Sequence, residues 1–357
     1  ASDGLASVGD VVDLGGGRYE VELTAGASSG TDRFRIVAAD GVDPVTLTPD
    51  PPLITSNLIG FEVATGEILG GGLQDDGAFA LIDHTPGYGS VARYWALNVQ
   101  NANEENAGSC PADPVLVMQA MGRKIGFIPA AARLADPARD MPLLIALTES
   151  GTTLEALADA VNDVLREQGR CMLVISEGFD VGDVGAQRDS FGHVLFSASG
   201  TTVERVVVNY LNQAGLPAKG SARGNLPGTD QRHNMIYAST VDLEEAYRVG
   251  QKAVQIAAEE GSGYMSTIVR DPGLIYNVRY DKVPLELVAN SERFFPRQWI
   301  APGGLDVTDE FLAYAQPLIG ESWPTVPLIG GRQRFARLKQ VFARQKLEAY
   351  VPQADRR

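Results

Sequence analysis

A short apolar run, Cys171–Ser176 (CMLVIS), lies between two helical patterns and constrains the fold more than any other feature. The helix predicted before it, Thr152–Glu167, carries apolar residues on one face, and Gly169 is suited to end it. The helix predicted after it, Thr201–Ala214, stops at Gly215. A strand without alternating polar residues is buried on both faces, as in a parallel sheet covered by helices. The sequence therefore predicts an α/β fold around this strand.

The same alternation of strands and helices extends from about Leu81 onward. Val115–Met118 is a second short apolar run and predicts another buried strand. Ser90–Asn106 has a helical composition, and Leu243–Glu260 predicts a long helix. Tyr264–Val269 predicts one more strand. We expect these strands to form one parallel sheet with helices on both faces.

The amino-terminal part of the chain has a different composition. Residues 1–78 carry 13 acidic and 3 basic side chains, whereas the remainder carries 32 and 27. Apolar and polar residues alternate in Arg18–Thr24 and in Asp32–Ile36, which predicts half-buried strands. This part resembles a piece of a bacterial extracellular immunoglobulin-like repeat, and an irregular β-rich extension is the alternative. We predict a β-rich segment at 1–58, a glycine-rich linker at 59–80 and the α/β region at 81–357.

Composition excludes several classes of function. The net charge of −15 argues against general nucleic-acid binding, which needs lysine and arginine against phosphates. The longest uncharged apolar run, near Met141–Leu147, is far shorter than the roughly 20 residues of a membrane span. The opening residues show no signal-peptide pattern. Cys110 and Cys171 are interpreted as reduced thiols of a cytoplasmic protein, and the histidines form no metal-binding motif.

Residues suited to ligand binding follow the predicted strands, where open α/β sheets bind their ligands. Gly122 follows the strand at Val115–Met118 and permits close backbone approach, and Arg123 can hold a phosphate with two hydrogen bonds. Glu177 follows Cys171–Ser176 and can accept hydrogen bonds from sugar hydroxyls. Arg232 offers a second guanidinium from a loop rich in glycine and proline. Taken singly, each is equally consistent with an ordinary charge at a turn.

Taken together, these segments resemble the sugar-phosphate site of the phosphofructokinase family. The matching text reads VMQAMGRKIGF at Val117–Phe127, VISEGF at Val174–Phe179 and PGTDQR at Pro227–Arg232. DHTPGYGSVARY at Asp83–Tyr94 resembles the helix start that follows the family's catalytic loop. The ten-residue step from Arg232 to Asp242 resembles the diphosphate-dependent branch. The resemblance covers about residues 81–354.

This resemblance implies a phosphofructokinase-like fold and a phosphotransferase of glycolysis. The reaction would be transfer of a phosphoryl group from diphosphate, or from ATP, to the 1-hydroxyl of fructose 6-phosphate, with Mg2+ as cofactor. The family also implies a homo-oligomer. By the same resemblance, Arg123 and Arg232 would hold the 6-phosphate and the sugar. Met121, Gly122 and Glu177 would orient the sugar ring, and Thr229, in the loop of Arg232, is a further candidate.

The chain also departs from the family pattern. The family's GGDGS-like donor loop has no counterpart in this sequence. The segment GGGLQDDGAFALID stands where the family has PKTIDND. The position of the family's general base falls on Asp76, and no magnesium ligand can be named. An alternative function is therefore a catalytically impaired protein that binds the sugar phosphate but lacks the donor site. A further alternative is a cell-surface β-module protein with a decaying appendage.

Overall fold

The computed structural model describes residues 7–15, 18–24, 36–39, 44–47, 81–182, 187–188, 194–195, 201–273, 275–288 and 293–335. Strands lie at Ser7–Gly15 (β1), Arg18–Thr24 (β2), Ile36–Ala39 (β3), Pro44–Leu47 (β4), Val115–Ala120 (β5), Leu143–Ala146 (β6), Cys171–Ser176 (β7), Gln187–Arg188 (β8), Val194–Leu195 (β9), Ala222–Asn225 (β10), Tyr264–Arg270 (β11), Val278–Pro284 (β12), Leu328–Ile329 (β13) and Arg332–Gln333 (β14). Helices lie at Tyr88–Ser109 (α1), Phe127–Ala130 (α2), Leu154–Gln168 (α3), Val203–Ala214 (α4), Asp230–His233 (α5), Thr240–Glu259 (α6), Leu285–Val288 (α7) and Asp309–Ala315 (α8). No helix within these ranges is long and apolar enough to cross a membrane.

Strands β1 to β4 form two antiparallel pairs, β1 with β2 and β3 with β4. The strand predicted at Arg18–Thr24 is β2 and is confirmed. Of the strand predicted at Asp32–Ile36, only Ile36 is described, as the first residue of β3. These four strands belong to one compact unit, and Leu81–Arg334 belong to another. The domain boundaries predicted at 58 and 80 fall within 48–80, outside the described residues.

Four parallel strands form the central sheet, in the order β10-β5-β7-β6. Strand β7 lies in its interior, between β5 and β6, which confirms the sequence prediction for the run CMLVIS. All six residues of β5 and all six of β7 are buried. In the register of these two strands, Ala120 stands opposite Ser176, so both strands end at the same level.

Alternate residues of the strands serve two separate apolar cores. On one face, Met118 and Val174 pack with helix α1, the segment after β5 and helix α8. On the other face, Val117 and Leu173 pack with helices α3 and α4. Because successive side chains of a strand point to opposite faces, the sheet needs a helical cover on both. The predicted architecture of a sheet between two helical layers is confirmed.

Three long helices begin where a hydroxyl side chain accepts a backbone N–H. Thr153 precedes α3, Thr202 precedes α4 and Ser239 precedes α6, each bonding an N–H three residues on. Such caps satisfy donors that the first helical turn leaves unpaired. Gly169 ends α3 in the left-handed conformation, with φ of 76°, as predicted.

The strand predicted at Tyr264–Val269 forms but lies elsewhere than expected. As β11 it pairs antiparallel with β12 in a two-stranded sheet, not with the parallel strands. The chain reverses over a short connection closed by the hydrogen bond from Asp271 N to Asn277 O, 2.9 Å. A connection of this length permits antiparallel pairing only, since a parallel partner requires a crossover of a dozen residues or more.

Candidate functional site

The segment Met121–Arg123 follows β5 and forms a sharp turn. Gly122 has φ of 133°, and Arg123 has φ of 50°, so both lie in the left-handed region. A Cβ on Gly122 would lie 2.7 Å from the carbonyl oxygen of Ile125, whose own N–H bonds the Gly122 carbonyl at 2.9 Å. The turn therefore requires glycine at position 122, both for its φ and for its space.

The Glu177 carboxylate binds this turn from the end of β7. Its Oε1 accepts hydrogen bonds from the backbone N–H groups of Gly122, at 3.1 Å, and Arg123, at 2.9 Å. Burial raises the pKa of Glu177, while these two N–H groups and the charges of Arg123 and Arg232 act in the opposite direction. Both guanidinium groups are thus close enough to Glu177 to act on its charge.

Gly178 lets the ends of β5 and β7 pack against each other. A Cβ at this position would overlap the carbonyl oxygen of Arg123 and lie 3.0 Å from the Cα of Lys124. The same Arg123 carbonyl accepts a hydrogen bond from Ser176 Oγ at 3.3 Å. Glu177 therefore binds the turn through its carboxylate. Gly178, which has no side chain, leaves the space that the backbone of Arg123 and Lys124 occupies.

The loop before α6 approaches the same turn from a third direction. Gln231, in helix α5, is 3% exposed, and its Oε1 accepts from Met121 N at 3.1 Å and from Trp95 Nε1 at 2.9 Å. Its Nε2 donates to the Gly228 carbonyl at 2.9 Å. The structure thus brings Arg123, Glu177 and the segment of Arg232 together at the carboxyl edge of the sheet.

The remaining predicted site residues are less central. Met121 is half-buried and packs against the core that contains α1. Thr229 is exposed and makes no capping hydrogen bond with its side chain, although its carbonyl accepts from Arg232 N at 3.0 Å. Asp76 lies outside the described residues. The roles of all seven predicted residues as substrate or catalytic groups stay predictions.

A buried ionic cluster, which the sequence did not single out, lies beside helix α1. His84 is 1% exposed, with Nδ1 2.7 Å from Asp83 Oδ2 and Nε2 2.7 Å from Glu245 Oε2. Burial alone would lower the pKa of His84, but the charges and hydrogen bonds of the two carboxylates outweigh it and raise the pKa to about 10. Arg270 adds a second cation, with Nε 3.2 Å from Asp83 Oδ2, and the Tyr276 hydroxyl donates to Glu245 Oε1.

Asp242 joins the starts of helices α1 and α6. Its carboxylate accepts hydrogen bonds from Gly87 N at 2.6 Å, from Ser90 N at 3.1 Å and from the Ser90 hydroxyl. Burial raises its pKa, against the opposing effect of these bonds. The only sequence signals for this contact were the resemblance around Asp83–Tyr94 and the step from Arg232 to Asp242. Neither signal showed that the two segments touch.

Sequence comparison finds curated relatives over most of the chain. The pyrophosphate–fructose 6-phosphate 1-phosphotransferase of Halomonas elongata is 31% identical over 286 residues, which cover 78% of this chain and 65% of the relative. The enzyme of the same name from Rhodospirillum rubrum is 33% identical over 261 residues, covering 70% and 62%. The chain therefore spans slightly less than two thirds of the length of these curated relatives.

Comparison with solved structures also finds a pyrophosphate-dependent enzyme. The crystal structure of the pyrophosphate-dependent phosphofructokinase of Nitrosospira multiformis has a TM-score of 0.65 and 29% identity, covering 79% of this chain and 67% of that one. No protein-family profile matches the chain.

A parallel four-stranded sheet between two helical layers, with the Met121–Arg123 turn and Glu177 at its carboxyl edge, defines an α/β protein with a phosphofructokinase-like fold. The relatives make this assignment narrower. Over 78% of its length the chain is similar to a member of the phosphofructokinase family, and the relatives named above are of the diphosphate-dependent branch.

Proposed function

We propose that this chain phosphorylates fructose 6-phosphate at the 1-hydroxyl, with diphosphate as the phosphoryl donor. The observation that carries the proposal is the convergence at Glu177, whose carboxylate binds the Met121–Arg123 turn within the field of Arg123 and Arg232. Two guanidinium groups beside one carboxylate suit a ligand that is both anionic and rich in hydroxyls. The relatives' names supply the identity of that ligand.

Each of the three segments would bind a different part of the sugar phosphate. Arg123 and Arg232 would hold the 6-phosphate through charge-assisted hydrogen bonds. Glu177 uses Oε1 for two backbone N–H groups, and a carboxylate keeps further lone pairs that can accept sugar hydroxyls. Met121 and Gly122 would border the ring, where the absent side chain of Gly122 permits close approach.

The transfer itself needs a base and an aligned donor. Asp76, carried over by resemblance, would accept the proton of the 1-hydroxyl as that oxygen attacks the distal phosphorus of diphosphate. The bond to the bridging oxygen breaks, and orthophosphate leaves. The products are fructose 1,6-bisphosphate and orthophosphate, so atoms and charges balance.

Magnesium dependence is proposed from the family alone. Within the ranges that the structure describes, no group of three or more His, Cys, Asp or Glu side chains is arranged to hold a metal ion. The described residues therefore supply no such set of protein ligands for the ion.

Two further expectations accompany the proposal. Self-association and a cytoplasmic location stay predictions, the latter supported by the free thiols of Cys110 and Cys171. The alternative of a catalytically impaired binding protein is not favoured, since the relatives at about 30% identity carry the phosphotransferase name.

A calorimetric titration followed by a coupled assay tests the function. The full chain should bind fructose 6-phosphate at least tenfold more tightly than fructose, because only the former offers a phosphate to the arginines. With magnesium present, turnover should appear with diphosphate and not with ATP. Turnover with ATP alone would overturn the donor assignment. Binding without turnover would support the impaired alternative, and no binding would reject the proposed site.

A further inference from the structure

The amide side chain of Gln231 connects the two segments that carry the arginines. Through Oε1 it accepts from the backbone of Met121, two residues before Arg123, and its own backbone immediately precedes Arg232. The contact joins residues 110 positions apart.

The amide is held in one orientation by its other bonds. A glutamine oxygen and nitrogen have opposite hydrogen-bonding roles, so partners on both sides fix the direction of the group. Trp95 Nε1 donates to Oε1 at 2.9 Å, and Nε2 donates to the Gly228 carbonyl at 2.9 Å. Trp95 is fully buried in the core that includes helix α1, so the indole gives Gln231 a fixed reference point.

We propose that Gln231 is a positioning residue that sets the separation of the two arginine-bearing segments for the sugar phosphate. This inference rests on the proposed function. A bound phosphate must meet both guanidiniums at hydrogen-bond distance, and a misplacement of about 1 Å can cost on the order of 100-fold in a site of this kind. Gln231 itself is buried and acts through its neighbours, so it need not touch the ligand.

The two bonds of Oε1 have separable roles, which makes a matched pair of variants available. Gln231→Met keeps the length of the side chain but removes its links to Met121 N, to Trp95 Nε1 and to the Gly228 carbonyl. Trp95→Phe removes only the indole donor and leaves the Gln231 contact to Met121 in place. Both variants lose a buried hydrogen bond in the same core, so a role in stability alone would affect both.

The test uses the full chain and fructose 6-phosphate as the probe, with each variant titrated at a temperature where it is folded. We expect Gln231→Met to weaken binding at least tenfold and Trp95→Phe to stay within threefold. Thermal unfolding midpoints should fall for both. A Gln231→Met variant that binds within twofold of the wild type, when the wild type binds, would overturn the positioning role and leave the proposed function intact.

Hydrogen exchange without any ligand separates failure of the inference from failure of the function. Gln231→Met should accelerate exchange in peptides that contain Met121–Arg123 more than Trp95→Phe does. If the wild type fails to bind fructose 6-phosphate, the proposed function is rejected. In that case equal exchange in the two variants would also overturn the positioning role, whereas faster exchange in Gln231→Met would retain it for another anion.

Discussion

His84 and Glu245 are 161 positions apart, and Nε2 of the histidine lies 2.7 Å from Oε2 of the glutamate in a nearly water-free environment. The other ring nitrogen faces Asp83 at the same distance. Both ring nitrogens can donate to carboxylates only when the imidazole is protonated. The contact therefore keeps a positive charge at the point where the chain enters helix α1.

This charge predicts how stability depends on pH. The folded-state pKa of His84, about 10, lies above the value of 6.5 for an unperturbed histidine. His84 therefore contributes its full stabilisation below about pH 6.5, and the contribution is lost as the pH rises through about 10. We expect His84→Gln to lower the free energy of unfolding by about 3–5 kcal/mol at pH 6 and by less at pH 10. Urea denaturation of both proteins at each pH measures this, and a constant difference would contradict it.

Glycine substitutions test the packing behind the site. In Gly178→Ala the new Cβ overlaps the Arg123 carbonyl, so we expect a loss of about 1–3 kcal/mol in stability and weaker binding of fructose 6-phosphate. Gly250→Ala is the matched control, because a Cβ there meets nothing within 4 Å inside helix α6. The control should gain about 0.5–1 kcal/mol. Equal effects of the two substitutions on binding would contradict the packing argument.

Arg232→Ala tests the electrostatics of the proposed ligand. Loss of charge-assisted hydrogen bonds worth about 1.5–3 kcal/mol should weaken binding of fructose 6-phosphate roughly 10- to 150-fold. Binding of fructose itself should change little. Arg248→Ala removes an exposed arginine that pairs with Glu244 on helix α6, and titration calorimetry should find its affinity within twofold of the wild type.

Two substitutions of Glu177 separate its hydrogen bonds from its charge. Glu177→Gln keeps an oxygen that can accept from Gly122 N and Arg123 N, so its stability should stay within about 1 kcal/mol of the wild type. Glu177→Ala leaves both N–H groups without this acceptor and should lose about 1–3 kcal/mol. Chemical denaturation measures the stability of both variants. An alanine variant as stable as the glutamine variant would contradict the role of Glu177 as the acceptor of these hydrogen bonds.

Asp76 is tested by kinetics. Removal of a general base in Asp76→Asn should lower kcat by about 10²–10⁴-fold, with little change in KM for fructose 6-phosphate. Asp75→Asn changes the adjacent carboxylate and is the matched control, for which we expect nearly normal kcat. A nearly normal kcat in Asp76→Asn would show that the base lies elsewhere.

Two of the four strands of the central sheet, β5 and β7, could be predicted because their signals are local. Helix α3 has a hydroxyl cap at Thr153 and a glycine stop at Gly169, and β7 is apolar throughout. Strand β10 (ARGN) could not be predicted, since a four-residue edge strand with a charged residue carries no periodic pattern. Its place depends on the parallel pairing with β5.

The candidate site, too, could be predicted only in part. Arg123, Glu177 and Arg232 could be chosen from the sequence because strand ends are where α/β sheets bind ligands. The contacts of Gln231 with Met121 and of His84 with Glu245 could not, since each joins residues more than 100 positions apart. Hydrogen bonds between residues so far apart along the chain depend on the assembled fold. No local motif in the sequence indicates them.

Strands β5 and β7 end at the same level of the sheet, and this restricts where the chain tolerates insertions and deletions. Ala120 stands opposite Ser176, and the next residues on each strand are Met121 and Glu177. Loss of one residue from either strand would shift its end by about 3.3 Å and turn every following side chain to the opposite face. The Glu177 carboxylate would then point into a different layer from the turn it binds. Length variation among natural homologues should therefore be confined to loops and be absent from these two strands.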